Sequence, residues 1–294
     1  MSFKKHGQAS YPLTSAKRSV VFIARRPEQL ADASSSGATI RQADYDDDNS
    51  ILNAFEGVDT LFLISYASVE HEHRSERHRF AINAAIRSGV KHIFYDSLGY
   101  GGKPETKESV AHVMQPHLDT EKYLEELSAK NPGFGYTVVR EGPYTESYPL
   151  YTAFFDPKNP VSEIKIPHDG PGPGIAWVKR EELGEGTAEL LRRFAINPAG
   201  LVYCQRSVLL SGARVLSLQE SVDILGRVAN VPVRIRRVSD EEFAAQPQVK
   251  PNFVYCGVDY SLLWATTFDA FRRGEAAYAS SLLGELLGRE PEDD

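Results

Sequence analysis

The sequence is short of cysteine, of long apolar runs and of excess positive charge. Each shortage removes a class of function. There are 2 cysteines in 294 residues, Cys204 and Cys256. Two thiols so far apart make neither a disulfide framework nor a zinc ligand set, and they suit a reducing compartment. No stretch approaches the roughly 18 apolar residues of a membrane helix. The opening MSFKKHGQASYPLTSAKR has no apolar segment of the secretory kind. These two absences point to a cytoplasmic protein without a membrane partner. Lys and Arg total 33 against 40 for Asp and Glu, a net charge of −7, which disfavours nucleic acid as the main partner. What remains is ordinary: 41% hydrophobic and 25% charged residues, enough for a real core in one large domain or two small ones.

The apolar pattern alternates strand and helix through the first half. SVVFIAR (19–25) reads as a buried parallel strand, PEQLADASSSG (27–37) as a short helix, and TIRQADY (39–45) as a second strand. A helix over 49–57 leads to VDTLFLIS (58–65), the most apolar strand. A long helix over 70–88 stops at Gly89. It is followed by a strand at 90–98, a helix at 117–130 and a strand at 136–142. Such alternation predicts βαβ units and a doubly wound parallel α/β sheet. The second half is less regular. It reads as a strand at 175–178 with a helix to 194, a strand within 201–212, a capped helix at 216–230, a strand at 231–238 and a helical, then acidic, C-terminus.

Several segments together resemble the NmrA-like family of atypical short-chain dehydrogenases. They are ARRP (24–27), RQADYDD (41–47), LFLIS (61–65), INAAIRSGVKHIFYDSL (82–98), DTEKYLEEL (119–127), YTVVREGPYTESY (136–148) and LLSGARVLSLQES (209–221). The resemblance runs from about residue 19 to 288, and its last part, 264–289, is similar to fungal members. It implies a Rossmann-like domain over 19–143, a smaller mixed substrate lobe over 144–294, and an NADP cofactor.

One feature of the family is missing from residues 1–18. The family opens with a strand, a Gly-x-x-Gly-x-x-Gly loop and a helix, which hold a pyrophosphate on backbone N–H groups. Here that stretch holds one glycine, Gly7. The expectation is an irregular segment at 1–18, an absent first βα unit, and weak dinucleotide binding by this chain. GPGPG (170–174) is no substitute, because Pro171 and Pro173 have no N–H to donate. GYGGK (99–103) reads either as a pocket wall or as a plain turn.

The resemblance places the site residues. Arg25, with Arg26 beside it, follows the first strand, where a cation accommodates a 2′-phosphate; the alternative is a solvated pair. Asp44 falls near the adenine edge or caps a turn. Ile64 and Ser65 end the apolar strand where the cofactor crosses. Ser97 ends strand 90–98, and Lys122 stands where short-chain dehydrogenases keep their lysine. The tyrosine four residues earlier is replaced by Leu118. Lys122 then bonds the nicotinamide ribose or is a solvated partner of Glu126. Pro143 and the aromatic run with Tyr144, Tyr148 and Tyr151 wall a flat substrate or form a flap over the core. His71, His73 and His78 read as a charged, solvated helix face and not as a metal site, and His117 either as a residue that approaches a substrate or as an exposed helix start.

The family implies an NADP(H)-dependent oxidoreductase that reduces a quinone or similar small molecule, in detoxification or secondary metabolism. Two alternatives remain: a non-catalytic NADP sensor that binds a protein partner, and a truncated, cofactor-impaired member. A protein partner or a homo-oligomer fits either.

Overall fold

A computed structural model describes residues 20–292. The segment 1–18 and the start of the strand expected from Ser19 lie outside the described residues. The chain forms two compact units, which divide between Ala54 and Phe55.

In the first unit, β1 (Val21–Ala24) and β2 (Thr39–Gln42) run parallel, with Val21 beside Thr39 and Ala24 beside Gln42. The helix expected at 27–37 is broken: a 3₁₀ turn over Pro27–Leu30 precedes a short α1 (Ala31–Ser35). Three serines and Gly37 at its end give the backbone other hydrogen-bonding choices. The expectation of a buried first strand is corrected. Phe22 is 42% exposed, because among the described residues β1 has a neighbour on one side only. α2 (Asp48–Ala54) closes this unit, turned by Asp47, whose carboxylate accepts from the Asn49 and Ser50 N–H groups.

The second unit is built on a four-stranded parallel sheet in the order β3 (Thr60–Leu63), β4 (His92–Leu98), β5 (Gly135–Glu141), β7 (Arg206–Leu210). α3 (His71–Arg87) links β3 to β4, and α4 (Gln115–Lys130) links β4 to β5. The parallel α/β class expected from the alternation is what the chain adopts. Among the described residues the parallel ladders are β1–β2 in the first unit and β3–β4–β5–β7 in the second, the latter extending past residue 143 to β7. The strand expected at 175–178 is also corrected. It makes only isolated bridges, Tyr144 with Val178 and Ile175 with Leu216.

The remainder mixes a parallel pair, β6 (Glu163–Ile166) with β8 (Arg234–Arg237), and an antiparallel one, β9 (Val254–Tyr255) with β10 (Val258–Asp259). Around them lie α5 (Arg180–Ile196), α6 (Leu218–Ala229), α7 (Asp240–Ala244), α8 (Ser261–Arg272) and α9 (Leu282–Leu287). α6 starts on a reciprocal cap: the Ser217 hydroxyl accepts from Glu220 N–H, and the Glu220 carboxylate accepts from Ser217 N–H. Two apolar clusters hold the unit. One packs Phe94 and Val139 of the sheet against Leu183 and Leu190 of α5 and Leu283 of α9. The other is aromatic, with Tyr151, Trp177, Trp264, Phe268 and Phe271 in mutual ring contact.

Alternation along β4 and β5 sends successive side chains to opposite faces. Tyr95, Ser97, Val138 and Arg140 share one face; Phe94, Asp96, Val139 and Glu141 share the other. On the first face Arg140 is 1% exposed and fully inside the protein. Its guanidinium donates to both Glu121 oxygens, at 2.9 and 2.6 Å, and to the Thr106 carbonyl at 2.8 Å.

Removing one partner of this ion pair leaves the other charge buried and unpaired, so Arg140→Ala or Glu121→Ala is expected to cost roughly 3–5 kcal/mol. The double change Arg140→Met with Glu121→Leu is expected to recover most of that loss. Urea unfolding midpoints at constant slope check both statements.

Candidate functional site

The candidate site lies at the carboxyl edge of the main sheet, where open α/β sheets take their ligands. β3 ends at Leu63, which leaves Ile64 62% exposed and Ser65 half-buried. The Ser65 hydroxyl accepts from Arg74 Nη2 at 2.5 Å and lies 3.2 Å from His78 Nε2. Arg74 also donates to the Ser68 carbonyl at 2.8 Å.

On the α3–α4 face, Ser97 is buried and donates to Glu121 at 2.6 Å. Its hydroxyl is therefore committed to the ion pair described above. Beneath it runs a buried chain of polar groups. The Tyr66 N–H donates to His78 Nε2 at 2.9 Å, so Nε2 carries the lone pair and Nδ1 the proton of a neutral imidazole. His78 Nδ1 lies 2.9 Å from the Thr120 hydroxyl and 3.3 Å from the Tyr95 hydroxyl, which lies 3.1 Å from His117 Nδ1. Burial, aided by the Arg74 charge, pushes His78 down to about 3. Burial likewise holds His117 well below the usual histidine range and raises the Tyr95 phenol.

The readings of His78 as solvated and His117 as exposed are thus corrected, since both are buried. Their spacing carried the signal. His78 shares a helix face with Ala81, Ile82 and Ala85, and His117 with Thr120, Glu121 and Leu124, all buried at i, i+3, i+4 and i+7. His71 is half-buried and lies 2.8 Å from the Asp119 carboxylate.

On the opposite face stand Asp96, Glu141 and Tyr144. The Tyr144 hydroxyl donates to Glu141 Oε2 at 2.6 Å. Burial and the neighbouring Glu141 raise Asp96 well above the usual carboxylate range. Burial raises Glu141 as well, and burial with the two carboxylates raises the Tyr144 phenol. Tyr144 is held by the stretch after β5: Val178 N–H donates to the Pro143 carbonyl at 3.1 Å, and Thr145 N–H to the Val178 carbonyl at 2.9 Å. Pro143 is buried, Tyr144 and Tyr148 are half-buried. Tyr151 is 3% exposed within the aromatic core, between Trp177 and Trp264.

In the first unit, Arg25 and Arg26 are exposed just beyond β1, and Arg25 Nε lies 4.0 Å from Asp44 Oδ2. The structure therefore brings Arg25 and Asp44 together, and it joins Ser97 to Glu121. It does not join Ser97 to Tyr144, which occupy opposite faces, nor turn Lys122 inward. Lys122 is exposed on α4, one residue beyond the buried Glu121.

The glycine amides at 99–103 and 170 are committed internally. Gly99 N–H donates to the Glu141 carbonyl, Gly101 and Gly102 to that of Glu275, and Gly170 to His168 Nδ1. A phosphate cradle needs free amides, so these four are not available to one. Among the described residues the first unit offers an exposed cation, Arg25, just beyond β1, and the glycine amides named above are bonded within the chain.

Residues 12–258 match the NmrA-like family. The NmrA-like family domain-containing oxidoreductase flvB of Aspergillus flavus is 29% identical over 267 residues, 90% of this chain and 80% of that protein. Quinone oxidoreductase 2 of Escherichia coli is 38% identical over 129 residues, 44% of this chain and 41% of that protein. The crystal structure of the NADPH-dependent quinone oxidoreductase of Escherichia coli with NADPH superposes at TM-score 0.69 and 26% identity, covering 93% of this chain and 87% of that one. That of the transcriptional regulator NmrA with NAD does so at 0.62 and 14%, covering 94% and 93%. Together with the parallel sheet, these likenesses show a Rossmann-like fold.

The buried histidines set an expectation for pH dependence. A histidine titrates near 6.5 when unfolded, while His78 and His92 are held at about 3 and about 4 in the fold. The unfolded chain then binds more protons in that window, so their stability is present above pH ~6.5 and lost as pH falls toward ~4. The raised Asp96 and Glu141 act with the opposite sign. Denaturant midpoints for wild type and His78→Gln between pH ~7 and ~4.5 are expected to converge as pH falls, because only wild type loses the His78 contribution.

Proposed function

The chain belongs to the NmrA-like family, and from that membership we propose that it is an NADP(H)-dependent oxidoreductase acting on a quinone or a similar flat, conjugated molecule. The observation that carries the cofactor choice is Arg25, exposed at the carboxyl end of β1 with Arg26 next to it. A dinucleotide fold presents its ribose to that strand end, and a guanidinium there favours a 2′-phosphate over a bare hydroxyl. The relatives' names support the reaction class: one is called an oxidoreductase, the other a quinone oxidoreductase. When bound, the cofactor supplies a hydride. Within the first unit, Arg25 and Asp44 are the residues for an adenosine end; within the second, Ile64 and Ser65 line the end of β3, and Pro143, Tyr144 and Tyr148 wall a flat substrate. This reading suits a cytoplasmic enzyme with a small-molecule substrate.

A second reading, a dinucleotide-binding regulator without turnover, is favoured by one observation. Ser97 is bonded to Glu121 and Lys122 is exposed, so the usual serine–lysine pairing is not assembled. NADPH oxidation in the presence of menadione separates the two: turnover supports the oxidoreductase, and binding without turnover supports the regulator.

Two binding outcomes follow. A charge-assisted phosphate contact contributes about 1.5–3 kcal/mol, so Arg25→Ala is expected to weaken NADPH roughly tenfold or more and to leave NADH nearly unchanged. Isothermal titration reads both, and equal loss for the two would make Arg25 structural. The same titration on the 294-residue chain is expected to give an NADPH affinity roughly a hundredfold below that of a relative with the glycine loop. A low-micromolar constant would show a phosphate cradle among residues outside those described.

A further inference from the structure

We propose that His71, oriented by Asp119, is the general acid that this chain offers to a substrate oxygen. The acceptor is the oxygen left negative on a quinone or conjugated carbonyl by hydride addition, so the acid role rests on the oxidoreductase reading. The pairing of His71 with Asp119 does not.

The pair is built by helix packing. His71 opens α3, six residues after Ser65 at the carboxyl end of β3. Its Nε2 lies 2.8 Å from Asp119 Oδ2, and the Ser75 hydroxyl donates to the same oxygen at 3.5 Å. Residues 71, 75 and 78 recur at helical spacing. All three meet α4, His71 and Ser75 at Asp119 and His78 at Thr120. The imidazole is thus placed by the helix pair that also encloses the His78–Tyr95 chain. Within the same first turn of α3, Arg74 reaches the Ser65 hydroxyl at 2.5 Å. His71 therefore stands at the sheet edge where an open α/β fold takes its ligand.

Other polar groups of this edge are taken. Ser97 donates to Glu121 and Tyr144 to Glu141, both at 2.6 Å. His78 and His117 are enclosed, while the His71 side chain is 26% exposed. His71 combines a fixed orientation with access to a ligand and to solvent. The charged and titratable groups around it come from each neighbouring element. Asp119 reaches it from α4. His112, from the 3₁₀ turn His112–Met114, meets its ring edge to face at 5.9 Å and is itself acted on by Glu72. Glu70 and Glu72 also act on Tyr260 at the start of α8. His112 Nε2 is buried with no hydrogen-bond partner among the described residues, so a nitrogen beside His71 is left for a polar ligand atom.

The step is a proton transfer alone. A carboxylate only accepts, so the His71 proton that meets Asp119 is on Nε2. In the imidazolium Nδ1 carries a second proton. That N–H bond breaks as an O–H bond forms on the substrate oxygen. The ring returns to the neutral Nε2–H tautomer that Asp119 holds, and solvent restores the proton at Nδ1. Asp119 fixes the tautomer and the ring angle without exchanging a proton; it is a positioning residue, and His71 is the catalytic one.

The test has a spectroscopic arm and a kinetic arm. In nitrogen-15 histidine spectra of the ligand-free protein, the His71 signals are identified by their loss in His71→Gln. They are expected to report the Nε2–H tautomer, and Asp119→Ala is expected to abolish that preference. An Nδ1–H tautomer in wild type, or no change in Asp119→Ala, overturns the pairing. In single-turnover reduction of menadione by NADPH, the wild-type rate is expected to fall as pH rises through the range in which histidine titrates. His71→Gln is expected to lose roughly a hundredfold in rate at pH ~6, to show no such fall, and to keep the wild-type dependence on menadione concentration. A His71→Gln rate and pH profile equal to wild type overturns the acid role and leaves the oxidoreductase reading standing. If wild type turns over neither menadione nor another quinone, that reading fails and takes the acid role with it, while the tautomer result decides the pairing.

Discussion

The carboxyl edge of the main sheet depends on one buried charge that has to be neutralised. Arg140 has no access to water, and an isolated guanidinium at that depth would cost several kcal/mol. Its planar fork is met by Glu121 from α4 and by carbonyls of the segment after β4, at Thr106 and Lys103. Ser97 from β4 fills a further Glu121 site. One requirement thereby sets the rotation of α4, the path of the 99–110 segment and the rotamer of Ser97. It also explains Lys122: a helix that turns Glu121 inward turns the next residue about 100° away.

The two faces of β4 and β5 solve the problem of buried polarity in different ways. On the α3–α4 side, charge is either paired, as Arg140 with Glu121, or avoided, as in the neutral His78–Tyr95–His117 chain. On the α5 side, Glu141 accepts from the Tyr144 phenol, and Asp96 stands on the same face. The first arrangement is satisfied as it stands. In the second, burial leaves both carboxyls raised above the usual carboxylate range.

Much of the frame was legible because apolar runs separated by glycine stops mark parallel strands and their crossover helices; 92–98, 135–141 and 71–87 fall close to where the pattern puts them. Weak segments were less legible. The serine-rich 31–35 makes little more than one helical turn, and 175–178 is apolar because it is covered, not because it pairs along its length. Among the candidate residues, Arg25 and Asp44 stand at strand ends and Tyr144 follows β5, as the pattern puts them. The burial of Glu121, Glu141, His78 and His117 was not legible, because an ionisable residue in a polar stretch is by default solvated. The corrective lies in neighbours at strand or helix spacing: Phe94 before Asp96, Val139 before Glu141, and the Ala-rich face below His78.

The 99–110 segment carries a consequence of its own. Residues 105–108 are exposed, yet its two ends are tied to Glu275: Gly101 and Gly102 N–H reach the Glu275 carbonyl, and Ser109 and Val110 reach its carboxylate. Glu275 follows α8, far along the chain. Amide exchange at 101, 102 and 110 is then governed by release of the C-terminal helices and not by local fraying. A protease that trims the tail would loosen this surface segment as well, and with it the carbonyls that hold Arg140.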